Sequence, residues 1–336
     1  MGLPGRTPPR ARAWAIVLLG LALPGSAAAD DPVPEEGSRP MRSIALTFDA
    51  APREDTARFT GAQRASELIA RLREAGVPRV AVFANTVRAD EKGRRRLEAY
   101  AAAGYTIANH SHSHPDLNTT DAAAYVADIV RADEALATLP TFVRWFRFPY
   151  LREGDEAGKR DFVRRELARL GYRNGYVTVN TFDWHMDTLL QQALRAGRRV
   201  DYDRLREVYV EALVGAVEFT DALAVDVLGR SPRHVLLLHE NDLNALFIAD
   251  LVGALRANGW TIVAPETAFE DEIARVETPT IFPGNPGRIG EMAFDRGRRE
   301  RLSHESCDQA YLEALFERRQ VFSAPPPAID SSALQH

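Results

Sequence analysis

The chain has 336 residues, 45% of them hydrophobic and 26% charged, with a formal net charge of −5. That is enough for one large domain or two small ones with a sizeable core. The charge is modest, and the basic residues are scattered apart from short clusters at Arg94-Arg95-Arg96 and Arg298-Arg299. A general nucleic-acid binder is therefore excluded, and these clusters read as solvated helix faces.

In chain order, the first element is a leader. Arg6, Arg10 and Arg12 precede an apolar stretch at 13–23, and Ser26-Ala27-Ala28-Ala29 follows as a small-residue cleavage site. Residues 1–29 are predicted to be a secretory signal peptide cut before Asp30, since the apolar stretch is short for a membrane span. The expectation is a periplasmic or secreted protein with no stable membrane span once the leader is removed. Residues 30–42, with Pro32, Pro34 and Pro40 among several charges, read as a linker. The one cysteine, Cys307, cannot form a disulfide within the chain and reads as a bystander.

From residue 43 the pattern alternates. Predicted strands lie at 43–49, 79–85, 105–109, 145–149, 176–180, 234–239 and 261–264, apolar on both sides of the pleat as in strands covered by helices. Predicted helices lie at 60–75, 91–103, 121–138, 161–170, 202–228 (long enough to be two) and 244–258, several of them ending at glycine. Such a βα repeat implies a parallel α/β sheet. Polar residues follow strand after strand at the C-terminal end, which favours a closed or nearly closed barrel over an open doubly wound sheet. The pattern weakens after 265. Residues 43–270 are expected to form a single catalytic domain, and 271–336 a C-terminal extension, partly disordered, with a helix or two between 292 and 322.

The chemistry-bearing residues sit at these strand ends. Asp49 closes the first strand and is a candidate general base. His110 and His114 are four residues apart, a spacing that lets two imidazoles share a metal; His112 between them points away. Arg147 interrupts an apolar strand, and a guanidinium there needs a carboxylate, for which Asp49 is the candidate. Asp183-Trp184 follows the fifth strand. His239 ends the sixth as a candidate general acid, with Asp183 to hold its tautomer.

Taken together, these residues resemble the polysaccharide deacetylase (NodB-homology) family, carbohydrate esterase family 4. The motifs are Thr47-Phe48-Asp49-Ala50, His110-Ser111-His112-Ser113-His114 with Pro115, Arg147 with Pro149-Tyr150, Asp183-Trp184, and Leu238-His239. The resemblance runs from about 44 to 265. It implies a distorted (β/α)7 TIM-like barrel that hydrolyses N-acetyl groups on an N-acetylated polysaccharide or oligosaccharide. It further implies Asp49 as base on a metal-bound water, and His110 and His114 as ligands of a divalent metal, zinc by preference. Arg147 would orient Asp49, and His239 would be the acid, tuned by Asp183. The Tyr150 N–H would serve the oxyanion, and Trp184 and Leu238 would wall the acetyl pocket.

The chain departs from the pattern at Ala50, where the family's third metal ligand is an Asp. Glu54, Asp55 and Glu240 are near enough in sequence to substitute. Asn180, where an acidic residue is frequent, is a lesser departure. Two other functions stay open: a non-catalytic glycan-binding barrel, and a C–N hydrolase of small amides.

Overall fold

The computed structural model describes residues 42–282 and 284–324; the expected leader and almost all of the linker lie outside them. The described residues fall in one compact unit. Its elements are β1 (Arg42–Ala51), α1 (Gly61–Glu74), β2 (Ala81–Ala84), α2 (Glu91–Ala102), β3 (Thr106–Asn109), α3 (Ala122–Leu136), β4 (Phe142–Phe146), α4 (Ala157–Arg169), β5 (Arg173–Asn174), α5 (Asp183–Arg195), α6 (Tyr202–Leu228), β6 (Arg233–His239), α7 (Asp242–Ala257), β7 (Trp260–Ile262), α8 (Pro265–Ala268), α9 (Gly287–Asp295) and α10 (Gln309–Arg318). Among the described residues, no helix is long and apolar enough to cross a membrane.

All strand pairs are parallel, in the order β5-β4-β3-β2-β1-β6 with β7 also on β1. β1 is the hub. β6 runs along one edge of it from Ser43 to Asp49, leaving the other edge to β7 at Arg42–Ile44 and to β2 from Thr47 onward. The sheet curls into a half-barrel whose open side is bridged by the chain leaving β5. Gly175 N–H donates to the Phe146 carbonyl at 2.7 Å, and the Thr178 and Val179 N–H groups donate to the Val235 carbonyl, each at 3.1 Å. Leu237 N–H then donates to the Val179 carbonyl at 3.0 Å. The result is the distorted (β/α) barrel expected from the strand-end pattern.

Side chains alternate across the pleat, so each strand serves two cores. Ile44, Leu46, Phe48, Val82, Ala84, Leu236 and Leu238 lie in the layer under the helices. Ala45, Ala81, Phe83, Val235, Trp145 and Tyr176 fill the barrel interior. Helix starts follow their caps. Thr60 and Gln63 make a reciprocal capping box on α1, worth about 1 kcal/mol. Asp121 caps α3, and Asn241 caps α7 through the Asn244 N–H.

Four expectations shift. The 145–149 strand is β4, displaced three residues toward the N-terminus, because Pro149 opens a 3-10 turn at Pro149–Leu151. The 176–180 strand has no ladder of its own beyond the Val179–Leu236 bridge, because its neighbours on either side change within a few residues. Residues 202–228 form one unbroken helix, α6, ended by Gly229 at φ 72°. The helix α5 was not anticipated; its polar start, Asp183-Trp184-His185, reads as a loop. Beyond residue 270, α9 packs on α6 and α10 on α5 and α6, and Phe322 bridges to Val200. Residues 325–336 of the expected extension lie outside those described.

Candidate active site

Asp49 and His239 occupy directly paired positions on β1 and β6. Their side chains therefore leave the sheet on the same face as near neighbours, about 5 Å apart at the backbone. Each is held by its own partner. Asp49 Oδ1 accepts from Arg147 Nη1 at 2.6 Å, and Asp183 Oδ1 accepts from His239 Nδ1 at 2.7 Å.

Arg147 is 1% exposed and is fixed on several sides. Its Nε donates to the Gly175 carbonyl at 2.7 Å, its Nη1 also donates to Thr47 Oγ1 at 2.9 Å, and its guanidinium stacks 3.8 Å from the centre of the Phe83 ring. Nη2 has no partner among the described residues. Burial pushes the Asp49 carboxyl above its ordinary value and the Arg147 guanidinium below its own, while their pairing opposes both shifts. An arginine stays protonated in proteins, so the pair is ionic.

Asp183 is fully buried and saturated with donors. Its Oδ2 accepts from the His239 N–H at 2.8 Å, Asn241 Nδ2 at 2.9 Å and Asn244 Nδ2 at 2.6 Å. Its Oδ1 takes the His239 ring N–H, so Nε2 is the free nitrogen of that imidazole, on a side chain still 21% exposed. The Asp49–His239 pair thus faces a solvent-accessible opening.

His110 is anchored from behind. Its Nδ1 donates to the Arg147 carbonyl at 2.8 Å, which turns the Nε2 lone pair toward Asp49 Oδ2, 3.6 Å away. His114 lies edge-on to His110 with ring centres 4.9 Å apart, and against Tyr150 at 4.6 Å. Burial pushes both imidazoles down to about 3, so both are neutral at ordinary pH and keep a lone pair. His112 is elsewhere, with Nδ1 2.8 Å from Thr86 Oγ1 and its backbone N–H on Asp128.

The loops carrying these groups are conformationally strained. Ala50, Ser111, His114, Tyr150 and Leu151 all have φ between 53° and 71°, a region costly for residues other than glycine. Such strain collects where surroundings force a shape that chemistry needs.

The remaining expected residues divide. Tyr150 sits at the mouth, 49% exposed, and its N–H has no partner among the described residues. Trp184 is half-buried beside Asp183, packed on Phe182 and His185. Leu238 is fully buried under the helices on the face of β6 opposite His239, so the expected pocket wall is not there. Of the three candidate replacements for the missing ligand, none joins the two imidazoles among the described residues. Glu54 is exposed beside Arg88, Asp55 Oδ1 accepts the Gly61 N–H, and Glu240 is taken by the Arg53 N–H and the Tyr100 hydroxyl.

The donor set consequently stops at two imidazoles, with a methyl group at position 50. Among the described residues, no group of three or more His, Cys, Asp or Glu is placed to hold a metal. This does not fit a catalytic zinc site, which takes three protein ligands. Ala50→Asp is expected to raise zinc affinity about 100-fold or more, read by calorimetric titration of the apo-protein. An unchanged affinity would show that position 50 does not face the imidazoles.

A family model described as polysaccharide deacetylase matches residues 36–175, a span that holds Asp49, His110, His114, Arg147 and Tyr150. The deacetylase match ends before Asp183 and His239, which complete the geometry from outside it. No curated protein matches the chain.

Similar solved structures include a family 4 carbohydrate esterase from Streptomyces lividans in complex with acetate, at 21% identity, covering 68% of this chain and 95% of that one, with a TM-score of 0.45. A peptidoglycan deacetylase from Bacillus subtilis is similar at 17% identity, covering 69% and 91%, with a TM-score of 0.46. A CE4 family pseudoenzyme from Bacillus anthracis is similar at 16% identity, covering 70% and 67%, with a TM-score of 0.47.

Sequence reasoning named Thr47 without its role as an acceptor for Arg147, and missed Gly175, Asn241 and Asn244. The last two stand two and five residues after His239, a spacing that could have marked them as its support. Gly175 had no such signal. A Cβ there would lie 2.5 Å from the Phe83 ring, a close approach visible only in three dimensions.

Proposed function

We propose that this chain is an exported hydrolase that removes N-acetyl groups from an N-acetylated glycan: a chitin-like oligomer, peptidoglycan or an exopolysaccharide. One observation carries the reading. A carboxylate fixed by a buried arginine and an imidazole fixed by a buried carboxylate stand on paired strand positions, ready to take a proton and give one across the same bond.

Asp49 accepts a proton from the attacking water, whose oxygen adds to the acetyl carbon. The tetrahedral oxyanion is received by the Tyr150 N–H. His239, protonated at Nε2, gives that proton to the departing nitrogen as the C–N bond breaks, leaving a free amine and acetate. Arg147 holds Asp49, and Asp183 holds the His239 tautomer. The two neutral imidazoles could bind a divalent metal, zinc among them, only weakly without a third protein ligand. The polymer reading is supported by two exposed apolar side chains against the His110–His114 loop: Val87, 54% exposed, whose N–H donates to the His112 carbonyl, and Tyr150, 49% exposed, which rests on His114. Periplasmic or secreted location rests on the leader at 1–29.

Acetate release from N-acetylglucosamine oligomers and from peptidoglycan, with and without added Zn²⁺, is expected. No release from any N-acetylated glycan would overturn the proposal. The methyl group at Ala50 favours a second reading, a glycan-binding barrel without turnover, which that result combined with retained oligomer binding would support.

A further inference from the structure

We propose that Asn285, in the C-terminal extension, is a positioning residue that holds the two walls of the catalytic mouth in register. This deepens the deacetylase reading and rests on it.

Tyr150 and Leu151 are consecutive non-glycine residues with φ of 58° and 53°. Left-handed backbone costs about 1–2 kcal/mol per residue for L-amino acids. The segment therefore needs outside support to keep the Tyr150 N–H aimed. Asn285 supplies it: its Nδ2 donates to the Tyr150 carbonyl at 2.5 Å. The same side chain faces the opposite wall. Asn180 Nδ2 donates to Asn285 Oδ1 and to the Asn285 carbonyl, each at 2.9 Å. Asn180 lies three residues before Asp183, which orients the acid. One amide thus uses its donor on the oxyanion side and its acceptor on the acid side.

Asn285 is itself held by the barrel. Pro286 follows with a fixed φ of −70°, and then Gly287 at φ 76°, where a Cβ would meet the Thr178 carbonyl at 2.8 Å. Arg288 N–H donates to the Val177 carbonyl at 2.8 Å. These contacts fall on the bridging segment between β5 and β6, where the sheet has no ladder. The extension therefore splints the seam and carries the amide to both walls.

Two variants separate this role from general packing. Asn285→Ala removes both bonds. Asn285→Asp keeps an acceptor for Asn180 but has no donor for Tyr150. Both are expected to lower kcat about 10- to 100-fold with KM within about twofold, because the aim of the Tyr150 N–H matters only once charge has developed. Amide hydrogen exchange gives a second readout independent of turnover. The turn bonds from Leu151 N–H to the Phe148 carbonyl and from Arg152 N–H to the Pro149 carbonyl should open, raising exchange at both amides about tenfold or more in each variant.

Wild-type kcat together with wild-type exchange in Asn285→Asp would overturn the proposal. If the wild-type protein releases no acetate, the deacetylase reading fails on that assay alone. Exchange in the two variants then still decides whether Asn285 holds the Tyr150 turn.

Discussion

Asp49→Asn is expected to lower kcat for acetate release by about 10²–10⁴-fold, the contribution typical of a positioned general base. The amide keeps the size of the carboxyl and loses its basicity. Oligomer affinity should stay near the wild-type value, since Asp49 lies at the end of a strand inside the barrel and is 3% exposed. Stability should also fall. Arg147 is 1% exposed, and Asp49 is its anionic partner, so the variant leaves a buried cation with neutral acceptors only: the new amide oxygen, the Thr47 hydroxyl and the Gly175 carbonyl. Removing one side of such a pair costs about 3–5 kcal/mol. A urea titration beside the acetate assay separates the two effects. Undiminished turnover in a folded Asp49→Asn variant would remove Asp49 from the base role, and a glycan binder without chemistry would show binding unaltered by the change.

The second large effect is expected of Asp183→Asn. Asp183 accepts hydrogen bonds from His239, Asn241 and Asn244 and donates none. An amide in its place sets an NH2 against other donors or against the His239 ring. Either the neighbours lose a bond, at about 1–3 kcal/mol for a buried group, or the imidazole turns its lone pair inward. In the second case Nδ1 faces an NH2 donor and loses the partner that stabilises the doubly protonated ring, so His239 no longer gives up its Nε2 proton readily. The comparable change in a Ser-His-Asp triad lowers turnover by about 10⁴, and a fall of about 10²–10⁴ in kcat is expected here. If kcat stays within about threefold of the wild-type value while the protein remains folded, His239 does not depend on Asp183 for its proton.

Much of this was legible along the chain because the decisive residues sit at the ends of strong apolar runs. The run from Ser43 to Asp49 can hardly be anything but a buried strand ending in a carboxylate, and β6 repeats the pattern to His239. Helices with caps and terminal glycines were equally readable. The seam was not. Residues 173–180 change partners from β4 to β6 in a few steps, and no local pattern announces a strand that belongs to two neighbours in turn.

Leu238 was misplaced for a simpler reason. Alternation alone puts it on the face opposite His239, and adjacency in a motif is not adjacency in space. Asn285 could not be found from sequence, because its contacts with Tyr150 and Asn180 span more than a hundred residues and lie in a segment without periodicity. The replacement ligands failed on the same ground. Glu240 follows His239 in sequence but turns to the Tyr100 hydroxyl and the Arg53 N–H.

Ala50 holds a φ of 65°, a shape that aspartate adopts more readily than alanine. The main chain at this position is thus already in a conformation that an aspartate tolerates. An aspartate there would relieve some of the conformational cost that alanine bears. A carboxylate at this one position would be the third side chain beside the two imidazoles, on a backbone already in a conformation that aspartate tolerates.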